Sequence, residues 1–408
     1  MTQQDTTRQD TVQRDAAQQA TTHPRIDFNP LAGTRPVGTT AGLLDGLRDA
    51  HPGFHSTFGR GFWVVTRHED ILAAFQDAET FSNRSVTVLD PEPRYRWIPE
   101  MLDPPEHTPW RRLLRPHFTP ATAKAMEGRI REHCAGLIDG LADRGSCDLV
   151  TDFAVKYPSV IFLELMGLPV ERLETFLEWE RAILHAPPDA NAARLAAMGK
   201  VTEMFAELIG ERRAEPRDDL VSAAVSWRID GEPISDEDLL AFCLLMFMAG
   251  LDTVTAQLSY AFWHLATHPG DRARLREDPA IMPSAIEELL RAYSVVLPGR
   301  KATRDVTVAG CPVKAGEMVM LPLTMANRDP AVFPEPERVV LDRTPNRHLA
   351  FGAGAHRCLG AHLARLEIRI ALEEWHRRIP DYRIPDDAEA VEHAYGLLGL
   401  DTLPLTWS

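Results

Sequence analysis

The longest apolar run in the chain is LLAFCLLMFMAGL, residues 239–251. It is too short to span a bilayer and suits a helix buried in a protein core. Upstream, PISDEDLL supplies a helix start, with Ser235 as the N-cap and acids in the first turn. Downstream the pattern runs on through TVTAQLSYAFWHLATH and stops at His268-Pro269-Gly270. The result is a predicted helix of about 33 residues, roughly 50 Å long, which suffices to cross a whole domain.

Helical periodicity also predicts helices over 41–49, 68–76, 121–142, 152–166, 171–184, 191–213, 283–293 and 359–378, with 236–246 opening the long one. Strand-like pieces are short: FWVVT (62–66), VTVAGCPV (306–313), MVMLPL (318–323) and the C-terminal LPLTW. The stretch 326–347, rich in proline and charge, predicts a meandering loop, and long loops in compact domains are functional or packed. No internal repeat and no linker stand out. The reading is a single, mainly α domain with a small β region over 25–408, behind a disordered polar tail at 1–24.

Charge and cysteine usage narrow the class. A formal charge of −15 argues against a nucleic-acid-coating protein, which would show a basic face. Five cysteines with no CxxC pair argue against a disulfide framework or structural zinc and fit a reducing, cytoplasmic setting. The N-terminus has no apolar run, so neither a signal peptide nor a membrane anchor is expected there.

Chemistry concentrates in FGAGAHRCLG, residues 351–360. Cys358 stands at the start of a helical pattern, where outward-pointing backbone N–H groups stabilise a thiolate. Gly352 and Gly354 permit positive φ or close approach to a flat object. Spacing alone leaves two readings open, a structural cysteine near a helix cap and a metal ligand.

The pattern F-G-x-G-x-H-x-C-x-G resembles the haem-binding loop of the cytochrome P450 family at every fixed position. The resemblance implies a haem-thiolate fold binding haem b, with Cys358 as the axial iron ligand. Phe351, Gly352 and Gly360 would shape that loop. In AGLDT, 249–253, Asp252 and Thr253 read alone as a solvated carboxylate and a hydroxyl bonded back to the Ala249 carbonyl. The family implies instead an oxygen-binding groove at Ala249, with Thr253 and Asp252 delivering protons. Glu288 and Arg291 of EELLR read alone as a surface ion pair. By resemblance they form a buried structural pair with Arg338 as third member. His107, Arg111, Arg300 and His356 stand at the family's positions for holding haem propionates. Arg112, Arg115, Arg357 and Arg365 would form a basic face for a ferredoxin, fed by its reductase.

The run YRWIPEMLDPPEH and the C-terminal GLLGLDTLPLTW resemble camphor-hydroxylating members. That likeness places Tyr95 against a substrate ketone and Leu245, Met248, Ala249, Val296 and Leu398 in an apolar pocket wall. Pro298 and Thr87 depart from the camphor pattern, near a propionate and an expected aromatic wall respectively. The expectation is O2-dependent hydroxylation of a small hydrophobic substrate such as a monoterpenoid. The alternatives are a tailoring oxidase for a larger natural product and a non-catalytic haem sensor. Intact AGLDT argues against the sensor, which needs no proton-delivery pair.

Overall fold

The structure, a computed structural model, describes residues 23–31, 33–184, 190–394 and 397–408. The expected N-terminal tail lies outside the described residues except for His23 and Pro24. The predicted long helix is present as Asp236–Thr267, the central helix. Ser235 caps it, its side-chain oxygen accepting from the Asp238 N–H at 3.1 Å. Among the described residues this is the one helix long and apolar enough to cross a membrane, and it is packed inside the protein.

Its two halves serve different cores. Phe242, Cys243, Phe247 and Leu251 join a cluster with Phe162, Phe176 and Phe205. Leu258, Ala261, Phe262 and Leu265 join a second cluster with Phe153, Trp375 and Tyr382. At the junction, a Cβ on Gly250 would meet Phe162 Cδ2 at 2.5 Å, so that close approach of a neighbouring helix requires glycine. A third cluster lies against a six-stranded sheet. The strand order there is Arg25–Ile26, Gly53–Ser56, Phe62–Val65, Met318–Met320, Gly299–Ala302 and Phe81–Ser82.

Most predicted helices occur within a few residues of their expected bounds, among them Pro120–Ala142, Leu173–Leu184, Met282–Ala292 and Ala361–Arg378. Three local readings change. His268-Pro269-Gly270 stops the central helix but also starts Pro269–Glu277, because proline suits the first helical turn. VTVAGCPV is a hairpin, Val306–Val308 against Cys311–Val313, turning on Ala309 and Gly310, both at positive φ. The helix predicted from 152 begins at Lys156, after a wider turn over Val150–Ala154.

The meander is tied down by a buried ion cluster. Glu288 and Arg291 are fully buried and paired through both guanidinium nitrogens facing the carboxylate, each at 2.8 Å. Arg291 also donates to the carbonyls of Asn327, Pro336 and Arg338. Here the expectation for Arg338 is corrected. It contributes its main-chain carbonyl, while its side chain points outward to Glu335. Arg343 is the third side chain, its Nε 3.0 Å from Glu288. Val340 N–H and Asn346 complete the shell around the carboxylate.

Removing one partner of a buried ion cluster strands the remaining charge, typically at about 3–5 kcal/mol. Glu288→Gln leaves Arg291 and Arg343 without their carboxylate. The expected outcome is a marked fall in the urea midpoint together with poor haem retention. An unchanged midpoint would show that the cluster does not hold the meander.

Candidate active site

A cavity of about 330 Å³ lies between the central helix and the cysteine loop. One helical face, Leu245, Met246, Ala249, Gly250, Thr253, Val254 and Gln257, forms one wall, repeating at the 3–4 residue spacing that aligns side chains. Opposite it lie Phe351, Gly352, His356, Cys358 and Gly360, then Leu363, Ala364 and Glu367 of the following helix. Val296 and Pro298 add apolar surface, and His107, Arg111 and Arg300 add polar groups.

The loop's shape follows from its glycines. Gly352 and Gly354 have φ of +65° and +69°. A Cβ on Gly354 would collide with the Phe75 carbonyl, whereas one on Gly352 would meet open space. The Cys358 N–H donates to the Phe351 carbonyl at 2.9 Å, closing the turn. Cys358 is the exposed cysteine of the five, and the space it faces is this cavity. Burial pushes its thiol up, and a hydrogen bond from the Gly360 N–H opposes that. The side of Phe351 carries the Arg365 guanidinium, 4.4 Å from the ring centroid.

Across the cavity the Thr253 hydroxyl donates to the Ala249 carbonyl at 3.2 Å, which leaves its lone pairs free to accept a hydrogen bond. Asp252 is buried beside it, with 8% of its surface exposed, and its side chain is not part of the cavity wall. It does not sit on a solvated face.

At the polar end the His107 and His356 rings lie 4.1 Å apart. Burial, reinforced by neighbouring cations, lowers His107 to about 4 and His356 to about 2, so both are neutral donors or acceptors near pH 7. Arg300 is buried and stacks over Phe75, and Arg111 donates to the Arg357 carbonyl at 2.6 Å.

Haem fits this set of residues. Both ring nitrogens of His356 are buried without a hydrogen-bond partner, beside two arginines that carry no ion pair among the described residues. Such groups are costly unless an anionic acceptor meets them. A flat cofactor with two propionates and a thiolate-seeking metal supplies that acceptor at one end and engages Cys358 in the middle.

Several sequence expectations are not met by the placement. Tyr95 is 41% exposed and packs at a tilt against Trp97, ahead of the turn that directs Pro99 and Glu100 inward. Met248 is turned about 100° from Ala249 around the helix and packs against the phenylalanine cluster, so Met246 lines the cavity instead. Leu398 points away from Val296's cavity, because strand side chains alternate and its neighbour Leu397 pairs with Val296. Leu398 lines a separate, larger cavity of about 580 Å³ with Tyr260, Trp263, His264 and Tyr293. That space holds no thiol, and His264 and Glu392 in it are already paired, with Tyr293 and Asp271 and with Tyr260 respectively. Arg365 is tied to Glu287 at 2.5 and 2.7 Å, leaving Arg112, Arg115 and Arg357 as the exposed basic groups of the expected face.

Two acids in the cavity escaped the sequence reading. Glu367 has an unpartnered buried oxygen, and burial raises its carboxyl to about 8, so it keeps a proton at neutral pH. Its signal was a glutamate amid Leu363, Ala364, Ile368 and Ile370, on a stripe that is otherwise apolar. Glu100 sits in IPEML, an acid between apolar neighbours.

A cysteine-bearing loop, a helix-borne threonine and an arginine-lined end together define a haem-thiolate oxygenase. The Cytochrome P450 family model matches residues 178–375. A probable cytochrome P450 127A1 of Sinorhizobium fredii is 38% identical, covering 86% of this chain and 84% of its own. The mycinamicin IV hydroxylase/epoxidase of Micromonospora griseorubida is 36% identical, covering 90% and 96%. The solved structure of the bottromycin biosynthetic protein SalCYP superposes with a TM-score of 0.83 at 38% identity, covering 94% of this chain and 95% of that one. The chain belongs to the cytochrome P450 family and is a monooxygenase whose cofactor is haem b.

Gly354→Ala and Gly352→Ala form a matched pair, since both glycines have positive φ but only Gly354 faces backbone. Forcing alanine into that conformation costs about 1–2 kcal/mol. The Gly354 variant should additionally lose haem, seen as a reduced Soret-to-protein absorbance ratio with helix content kept. Equal ratios in the two variants would show that the Phe75 contact does not shape the loop.

Proposed function

We propose that this monooxygenase hydroxylates or epoxidises an apolar natural product larger than a monoterpenoid, with electrons from a ferredoxin. The observation that carries the reading is one cavity that faces Cys358 with Thr253 and Ala249 across from it, mostly apolar along the central helix and polar at the end formed by His107, Arg111 and Arg300. Two relatives bear on substrate size, one by name a mycinamicin IV hydroxylase/epoxidase and one a bottromycin biosynthetic protein. Three residues on which a monoterpenoid fit would rest, Tyr95, Met248 and Leu398, lie away from the cavity.

Bound through Cys358, haem supplies the iron that activates O2. Arg111, Arg300, His107 and His356 would hold its propionates, and Phe351 and the loop glycines would flank Cys358. Thr253 donates to the Ala249 carbonyl and keeps its lone pairs free to accept a hydrogen bond from the cavity, and turning its O–H from Ala249 toward the cavity would pass a proton on. Asp252, next in the chain and buried beside it, is its proton source. Gln257, one turn further on, links the wall to the Leu289 carbonyl at 3.2 Å and keeps that end closed. Arg112, Arg115 and Arg357 offer cations at the loop's outer side, where an acidic ferredoxin would dock.

A graded ligand titration tests the substrate reading. Camphor, a sesquiterpene lactone and a macrolactone are added in turn to the haem-loaded protein, and the Soret band is followed. The expected result is a low- to high-spin shift with the macrolactone and little with camphor. A shift with camphor alone would overturn the size assignment.

A further inference from the structure

The polar end of the cavity carries one more charge than haem requires. Glu100 lies in a turn closed by the Met101 N–H donating to the Trp97 carbonyl at 2.7 Å, and it lines the cavity beside His107, Arg111, Arg300 and His356. Its Oε1 accepts from Asn83 Nδ2 at 3.2 Å, and Asn83, 1% exposed, also holds the Glu100 carbonyl at 3.1 Å. The carboxyl is therefore positioned by a buried side chain. Among the described residues no other hydrogen bond reaches it, and Arg300 and Arg111 act on it through space without forming an ion pair.

The two guanidiniums of Arg111 and Arg300 would be matched by the two propionates of a bound haem, so Glu100 would be a third carboxylate with no cation of its own. Asp103 does not alter the count. It accepts from Ser82 and the Asn83 N–H and lies 3.5 Å from Arg84. An enclosed carboxylate without a counter-charge is unfavourable, and a cation arriving with the ligand gains what that deficit withholds. Burial already raises the Glu100 carboxyl, with Arg300 and Arg111 opposing.

We propose that Glu100 is a specificity-determining residue that selects substrates bearing a positively charged nitrogen on an otherwise apolar body. The rest of the wall, from Phe118 and Ile161 to Leu245 and Val296, accepts that body. This proposal rests on the monooxygenase reading and names the substrate class for the same cavity.

Two probes of one shape separate charge from fit: benzyltrimethylammonium, which cannot ligate iron, and its carbon isostere neopentylbenzene. Binding to the haem-loaded protein is followed by the Soret band. For a probe that leaves the spin state unchanged, it is followed by relaxation of the probe's methyl protons by the iron. Glu100→Gln keeps the shape and the acceptor for Asn83 but removes the charge. The expected result is about tenfold weaker binding of the ammonium probe in E100Q, with neopentylbenzene unchanged and Glu100→Asp restoring much of the difference. The proposal is overturned if the wild type binds the ammonium probe no more tightly than neopentylbenzene, or if E100Q weakens both probes equally. It is also overturned if E100Q shifts only the haem reduction potential, which would place Glu100 in the propionate network. A failed family reading looks different, since the wild type would then lack a thiolate-type Soret band.

Discussion

The architecture depends on the buried pairing of Glu288 with Arg291 and Arg343. A carboxylate and two guanidiniums removed from water are stable only when every donor and acceptor is met, and the meander meets them with its own backbone. From this cluster a line of hydrogen bonds runs to the site. Arg291 holds the Asn327 carbonyl, and Asn327 Oδ1 accepts the Leu349 N–H at 2.6 Å. The Leu349 carbonyl then accepts the Gly352 N–H at 2.7 Å, at the first glycine of the cysteine loop. The thiol's position is thereby fixed to a helix far from it in sequence.

The opposite wall is fixed by packing rather than charge. The central helix belongs to two hydrophobic clusters, and its change of partner falls at Gly250, where Phe162 presses against backbone. The conformation that presents Ala249 and Thr253 to the cavity is supported by that aromatic ring, which packs on Gly250 and itself lines the cavity. One wall is rigid through a charged network and the other through close packing, and the cavity that would hold the cofactor lies where they face each other.

Much of this was legible in the sequence because it is encoded locally. Ser235 and the acids after it mark the central helix's start, and its apolar content marks its burial. The spacing in FGAGAHRCLG carries the loop. What escaped depends on distant partners or on a fraction of a helical turn. Strand Gly33–Pro36 pairs with Val391–Ala394, from the other end of the chain, and no local pattern announces that. Arg338 and Arg343 sit five apart in a loop without periodicity, so which one turns inward is decided by the carboxylate it meets. Met246 and Met248 are equally apolar and differ only in the direction they face. Ala309 takes a positive φ that its residue type does not advertise, which made a hairpin look like a strand. Glu100 and Glu367 are acids inside apolar patterns, and such breaks mark sites more reliably than they mark elements.

The most direct test is the absorbance spectrum of the reduced, CO-bound protein after haem loading. Thiolate ligation by Cys358 predicts the strongly red-shifted Soret band that an electron-rich sulfur ligand gives. A band at the position of nitrogen or neutral-thiol ligation would contradict the assignment of Cys358. With it would fall the roles given to the loop, the helix and the cavity between them.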